Sequence, residues 1–124
     1  MTIPFSVNMA NSKLTPAQIQ AYVAYVGTSA GPNFVYAGAS SSLMATWSGP
    51  GLLIVWESTV DQPAFAGSAL GLTSLHYVAA TYTRGAVALK YEWANTNPAL
   101  WKFLVIHELG LLPGCGTSTT PPRS

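Results

Sequence analysis

The sequence predicts one α/β (α+β) domain, a twisted mixed sheet of four or five strands with two helices. A continuous apolar run at residues 52–56 has the length of a strand and is typical of a central strand covered on both faces. Two further segments, one in each half of the chain, carry helix-start signals. A chain of 124 residues is long enough for one hydrophobic core.

The first helix is predicted from its capping residues. Thr15 is a suitable N-cap, Pro16 fits the first helical position, and Gln18 completes a capping box. Apolar residues at helical spacing then continue to Val26, and Gly27 is expected to end the helix.

The second helix is predicted near the end of the chain. Asn97 is a suitable N-cap, Pro98 fits the first helical position, and apolar residues follow to Leu109. The remaining apolar segments read as strands joined by loops, with a turn expected at residues 83–85. The predicted strands are residues 3–8, 33–37, 52–56, 72–82 and 86–93.

Composition excludes several classes of function. Hydrophobic residues make up 49% of the chain, charged residues 7%, and the net charge is +1. The five basic residues are spread along the chain instead of forming a patch, so we expect no nucleic-acid partner. The apolar runs are too short to cross a bilayer, so we expect no membrane partner, and no basic-then-apolar leader opens the chain. Cys115 is the only cysteine, which rules out an internal disulfide and decides no compartment.

One motif carries a chemical prediction. The predicted second helix ends in His107-Glu108-Leu109-Gly110. In H-E-x-x-H-x-x-G-x-x-H, two histidines four residues apart share one face of a helix and bind zinc, and the glutamate activates a zinc-bound water. The second histidine is due at position 111, where this chain has Leu111.

Several segments, taken in order, resemble the matrixin-like branch of the metzincin zinc proteases. They are Ile-Pro-Phe-Ser-Val-Asn, Leu-Thr-Pro-Ala-Gln, Asn-Phe-Val-Tyr-Ala, Leu-Leu-Ile-Val-Trp, Ala-Leu-Gly-Leu-Thr-Ser-Leu-His-Tyr and Phe-Leu-Val-Ile-His-Glu-Leu-Gly. The resemblance covers about residues 3–110. It implies a zincin-like, mostly parallel sheet with a helix after the first strand and an active-site helix after the last.

The same resemblance implies a function. The chain would be a secreted, extracellular metalloendopeptidase acting on protein or peptide substrates, with zinc as cofactor, His107 as a metal ligand and Glu108 as the general base. The family's second and third zinc-binding histidines, its methionine turn and its last helix have no counterpart here. Residues 1–110 are therefore interpreted as an incomplete catalytic domain, inactive as written, with the C-terminal subdomain missing.

Residues 111–124 differ in character and are expected to form a disordered tail. If one lost base is restored after Gly110 and the codons end in G or C, residues 111–121 can be read as His-Ala-Ala-Gly-Val-Arg-His-Val-Asp-Asp-Pro. That reading completes the zinc motif at its full spacing. We therefore interpret the tail as an out-of-frame segment.

Other interpretations remain open. The chain can be a non-enzymatic α/β binding module or a pseudo-protease, with His107 an ordinary histidine at the edge of the core. Glu57 and Asp61, after the central strand, are the residue types of a glycosidase pair, although acids are common at strand ends. His76 is expected to be a strand residue, and Cys115 is given no role. The four tryptophans are expected to be core residues more than a sugar site.

Overall fold

The computed structural model describes residues 2–30, 33–78, 81–93 and 96–110, and for residues 27–30, 75–78 and 81–83 it describes the backbone alone. The predicted tail, residues 111–124, therefore lies outside the described residues. None of the helices in the described ranges is long and apolar enough to cross a membrane.

The predicted α/β class is confirmed, with five strands and two α-helices. The elements are β1 (Thr2–Asn8), α1 (Pro16–Ala30), β2 (Asn33–Ala39), β3 (Gly51–Glu57), β4 (Gly71–Val78), β5 (Thr81–Lys90) and α2 (Pro98–Leu109). Two short 3₁₀ turns, Met44–Thr46 and Pro63–Ala66, lie in the connections before and after β3.

The five strands form one mixed sheet in the order β2-β1-β3-β5-β4. The pairs β1–β2, β1–β3 and β3–β5 are parallel, and β4 runs antiparallel to β5 at the edge. The register places Gly51 beside Arg84 and Glu57 beside Lys90, so β3 and β5 run side by side over their whole common length.

The local helix signals act as the sequence predicts. The Thr15 backbone N–H donates to Gln18 Oε1 (2.9 Å), and the Gln18 N–H donates to Thr15 Oγ1 (3.2 Å), which completes the capping box. The Asn97 side chain accepts a hydrogen bond from the Ala99 N–H (3.0 Å). Helix α1 continues past Gly27 to Ala30, so the predicted end at Gly27 is wrong.

The predicted turn at residues 83–85 is also wrong, because these residues lie inside β5. Gly85 is paired with Leu52 on one side and with Leu75 on the other. Pairing on both sides overrides the local turn signal, as strand context commonly does. Strand β5 also ends at Lys90, three residues before the predicted end.

Strand β3 is buried along its whole length and separates two apolar clusters. The larger cluster lies between one face of the sheet and the two helices, and the smaller lies between the other face and the connections around β3. From β3, the larger contains Leu52, Ile54 and Trp56, and the smaller contains Leu53 and Val55. The prediction of a central strand covered on both faces is therefore confirmed.

A glycine begins β3 because the backbone there leaves no space for a side chain. Gly51 has φ +79°, a conformation that favours glycine, and a Cβ atom added to it would lie 2.0 Å from the carbonyl oxygen of Pro4. The close approach of β1 and β3 thus requires glycine at this position.

One face of α2 remains open to solvent. Leu100 and Phe103 are exposed, Phe103 to 74%, and His107 follows on the same face at helical spacing. Exposed apolar area of this kind promotes association between copies.

We expect the chain to aggregate with increasing concentration and Phe103→Ser to reduce this. Because Phe103 is exposed, its replacement should change the free energy of unfolding by only about 0.5 kcal/mol. Light scattering over a concentration series measures the association. The matched control is Leu104→Ser, which places a polar group in the core and should destabilise the fold. A wild-type chain that stays monomeric at high concentration would contradict the expectation.

Candidate functional site

The His107–Glu108 pair lies at the C-terminal end of α2. Trp101, Leu104, Val105 and Leu109 are buried and hold one side of the helix on the sheet. Because adjacent residues on a helix point about 100° apart, His107 and Glu108 face different surroundings. His107 is exposed, and Glu108 is only 5% exposed.

The two side chains nevertheless remain close together. The distance from His107 Nε2 to Glu108 Oε2 is 3.9 Å, and the imidazole is 62% exposed. The imidazole is therefore accessible to solvent while the carboxylate beside it is covered. The pair thus presents one imidazole nitrogen to solvent and holds one carboxylate beneath it.

The Glu108 carboxylate is held by the edge strand β4. The Thr73 hydroxyl lies 2.5 Å from Glu108 Oε1, to which it donates, and 3.1 Å from the main-chain oxygen of Glu108. A Cβ atom added to Gly71 would lie 2.9 Å from the Glu108 carboxylate. Glycine at position 71 therefore makes the space that the carboxylate occupies.

Sequence analysis did not identify Thr73 and Gly71 as site residues. They lie 35 and 37 positions before Glu108, and neither belongs to a motif with it. Their contact depends on the packing of α2 against the sheet edge, and no local pattern reports such packing. A threonine two positions after a glycine carries too little information to predict it.

The described residues do not supply a set of zinc ligands. No three histidine, cysteine, aspartate or glutamate side chains in that part of the chain come together in a way that would hold a metal ion. His76 lies in β4 opposite Arg84, and its side chain is outside the described set, as are Leu111 and Cys115. The assignment of His107 as a metal ligand therefore stays a prediction.

Glu57 is buried and serves the fold. It is 1% exposed, and its Oε2 accepts a hydrogen bond from the Met44 backbone N–H (2.6 Å). Burial raises the pKa of the Glu57 carboxyl, the Met44 hydrogen bond and the Gln62 side chain lower it, and the charge of Asp61 raises it, with burial the largest effect. A carboxyl that is covered in this way is not available to a glycosidic oxygen.

Asp61 has a separate local role. It is exposed, and its Oδ2 accepts from the Ser58 backbone N–H (3.3 Å) and from the Ser58 hydroxyl (3.2 Å). Glu57 and Asp61 thus each stabilise a loop, and the described geometry gives no support to a glycosidase pair.

Three of the four tryptophans pack together in or against the core. The ring centroids of Trp56 and Trp101 are 6.1 Å apart, and those of Trp93 and Trp101 are 4.7 Å apart. Their placement agrees with the core interpretation. Trp47 lies on the other face of the sheet, where it borders a cavity.

Comparison with known proteins adds no relative. No family model matches the chain, and neither a curated protein nor a solved structure matches it.

We expect Thr73→Val to destabilise the protein by about 1–3 kcal/mol, because the buried Glu108 carboxylate loses its hydroxyl donor. Chemical denaturation measures the change in the free energy of unfolding. Thr96→Val is the matched control, since Thr96 is exposed. Equal effects of the two substitutions would show that the Thr73–Glu108 contact contributes nothing.

Glu57 should make stability depend on pH. Because its folded-state pKa is raised above the ordinary 4.5, the folded chain binds this proton more tightly than the unfolded chain. Its contribution to stability is therefore full below about pH 4.5 and is lost as pH rises through the raised pKa.

Glu57→Gln removes the titrating group and should flatten this part of the stability–pH curve. Denaturation midpoints measured between pH 4 and 8 test the expectation. Glu92→Gln is the control, because Glu92 is exposed and, among the described residues, accepts from Thr59 alone. An unchanged pH dependence in Glu57→Gln would refute the assignment.

Proposed function

We propose that this chain carries the sheet and the active-site helix of a matrixin-like zinc metalloendopeptidase, and that the chain as written does not hydrolyse peptides. The observation that carries the proposal is the position of the His107–Glu108 pair. The pair lies in the last turn of the helix that follows the last strand, with Glu108 against the edge strand. The resemblance to the metzincins implies an active-site helix that holds the His-Glu pair at this position.

The topology offers further support. Helix α1 follows β1. Strands β1, β2, β3 and β5 run parallel to one another, and the edge strand β4 runs antiparallel to β5. A zincin-like sheet is expected to be mixed in this manner. An extended peptide would add to the free edge of β4 through backbone hydrogen bonds.

The described residues do not fit a catalytic zinc site. Such a site uses three protein ligands and keeps a fourth position open. Here His107 contributes one nitrogen, and it belongs to no group of three candidate ligands in the described ranges. Glu108, the expected general base, is instead hydrogen-bonded to Thr73.

The reading frame after Gly110 is part of the same proposal. A restored base would place histidines at positions 111 and 117, at the spacing that the zinc motif requires. The secreted, extracellular setting and the peptide substrate are likewise proposed from the resemblance alone.

We expect the chain as written to bind zinc weakly or not at all and to show no chelator-sensitive proteolysis, since each missing ligand removes a coordinate bond. The frame-restored protein should bind about one zinc per chain by elemental analysis. In that protein, Glu108→Gln should abolish turnover and retain zinc, because glutamine preserves the contact with Thr73 and cannot accept the proton.

The matched control is Glu92→Gln in the frame-restored protein, which should retain turnover, since Glu92 is exposed and its carboxylate accepts from Thr59. Efficient, chelator-sensitive proteolysis by the present chain would contradict the proposed loss of activity. A frame-restored protein that folds and binds no zinc would contradict the family assignment.

The non-enzymatic alternative, a binding module, is favoured by a different observation. The face of the sheet opposite the helices contains a cavity of about 380 Å³, away from the His107–Glu108 pair. The residues that line this cavity indicate the chemical class of ligand that it would bind.

A further inference from the structure

The cavity lies between the 3₁₀ turn Met44–Thr46 and the sheet surface formed by β4 and β5. Its volume of about 380 Å³ is at the small end of the range for ligand sites in proteins. The side chains that line it combine apolar groups, two neutral polar groups and one cation. They include Met44, Ala45, Trp47, Gln62, Ser74 and Arg84.

Arg84 supplies this cavity with a cation that has no partner among the described residues. Within the described residues its guanidinium makes no hydrogen bond and no ion pair. The chain has four acidic residues in all, and each is engaged elsewhere. Glu57 accepts from Met44, Asp61 from Ser58, Glu92 from Thr59 and Glu108 from Thr73.

The arginine is also positioned by its surroundings. A methyl group added to Gly49 would lie 3.2 Å from Arg84 Cβ and 3.4 Å from its Cδ, so the loop backbone packs against the stem of the side chain. A stem that is already packed loses little conformational freedom when its guanidinium binds an anion.

The rest of the lining complements an anion that has an apolar body. The Trp47 indole Nε1 donates to the Gly51 carbonyl (3.2 Å), which fixes the ring at the cavity wall. The Ser74 hydroxyl has no hydrogen-bond partner in the described part of the chain and is free to donate to a ligand. Met44 and Ala45 add apolar surface at the rim.

The carboxyl of Glu57 reaches the lining of the cavity through its hydrogen bond with the Met44 N–H, and it forms no ion pair with Arg84. Along the β3–β5 pair, Arg84 lies beside Gly51 and Glu57 lies beside Lys90. Six residues of strand separate the two backbone positions by about 20 Å. The Glu57 carboxyl is moreover buried, and the Met44 N–H donates to it.

We infer that this cavity binds a small organic carboxylate whose apolar body is about as large as one amino-acid side chain. The guanidinium of Arg84 receives the carboxylate through charge-assisted hydrogen bonds, and the Ser74 hydroxyl adds a donor. The apolar body lies against the ring of Trp47. This site is independent of the proposed zinc chemistry, because it lies on the other face of the sheet and uses none of the same residues.

Ligand-observed NMR titration with phenylacetate tests the inference, and phenylacetamide is the uncharged match. Phenylacetate should bind and phenylacetamide should bind at least about tenfold more weakly, because the amide carries no charge for the guanidinium. Arg84→Gln should weaken phenylacetate binding about tenfold or more and leave phenylacetamide binding unchanged. Lys90→Gln, at the other end of β5, should change neither.

A second variant keeps the test independent of whether Arg84→Gln folds. Ala45 is exposed at the rim, so Ala45→Leu should preserve the fold and block both probes. N-acetyl-glycyl-phenylalanine, with a free carboxylate, separates the two sources of the ligand. Its binding together with phenylacetate assigns the C-terminus of a peptide, and its failure beside phenylacetate binding assigns a free small acid.

Equal affinity for phenylacetate and phenylacetamide would overturn the inference, as would an unchanged phenylacetate affinity in folded Arg84→Gln or in Ala45→Leu. These outcomes do not bear on zinc. A failed zinc experiment beside successful carboxylate binding would leave the binding module as the function of the chain.

Discussion

The burial of β3 on both faces is the constraint on which the rest of the structure depends. All seven residues of the strand are buried, with helices over one face and loop connections over the other. The contact between Trp56 and Trp101 holds α2 on the first face and so determines where His107 and Glu108 emerge. On the second face, the connections around β3 enclose the cavity at Arg84. Both candidate sites therefore follow from the packing of one strand, although they share no residue.

Two buried carboxylates tie loops and helix ends to this sheet. Glu57 ends β3 and accepts from the backbone of Met44, which borders the cavity. Glu108 lies in the last turn of α2 and accepts from Thr73 on the edge strand. Leaving either carboxylate without its donor is costly in a buried setting, so both contacts constrain the geometry around them. The Glu108 contact has a functional consequence as well, since the group that the metalloprotease interpretation needs as a base is held by a hydroxyl of β4.

Local signals in the sequence were sufficient for the helix starts and the central strand. Thr15 with Gln18, and Asn97 with Pro98, mark the helix starts within a single helical turn. The continuous apolar sequence of β3 by itself indicates a strand that is buried on both faces. The turn predicted at residues 83–85 was wrong, because strand pairing on both sides of Gly85 overrides the local turn preference of these residues. The contact of Thr73 with Glu108 could not be predicted, since it joins residues 35 positions apart. That Arg84 has no ion-pair partner among the described residues could not be predicted either, since it depends on where every acidic side chain lies.

The central claim is that the His107–Glu108 pair begins a zinc-binding motif that continues in another reading frame. The codons for residues 111–121 test it most directly, because the shifted reading depends on third bases that the protein sequence leaves open. The account predicts that the codon for Pro113 ends in G, which yields the glycine of the motif, and that the codon for Gly116 ends in C, which yields its last histidine. Any other base at the end of the Gly116 codon, or a base other than G at the end of the Pro113 codon, would contradict it.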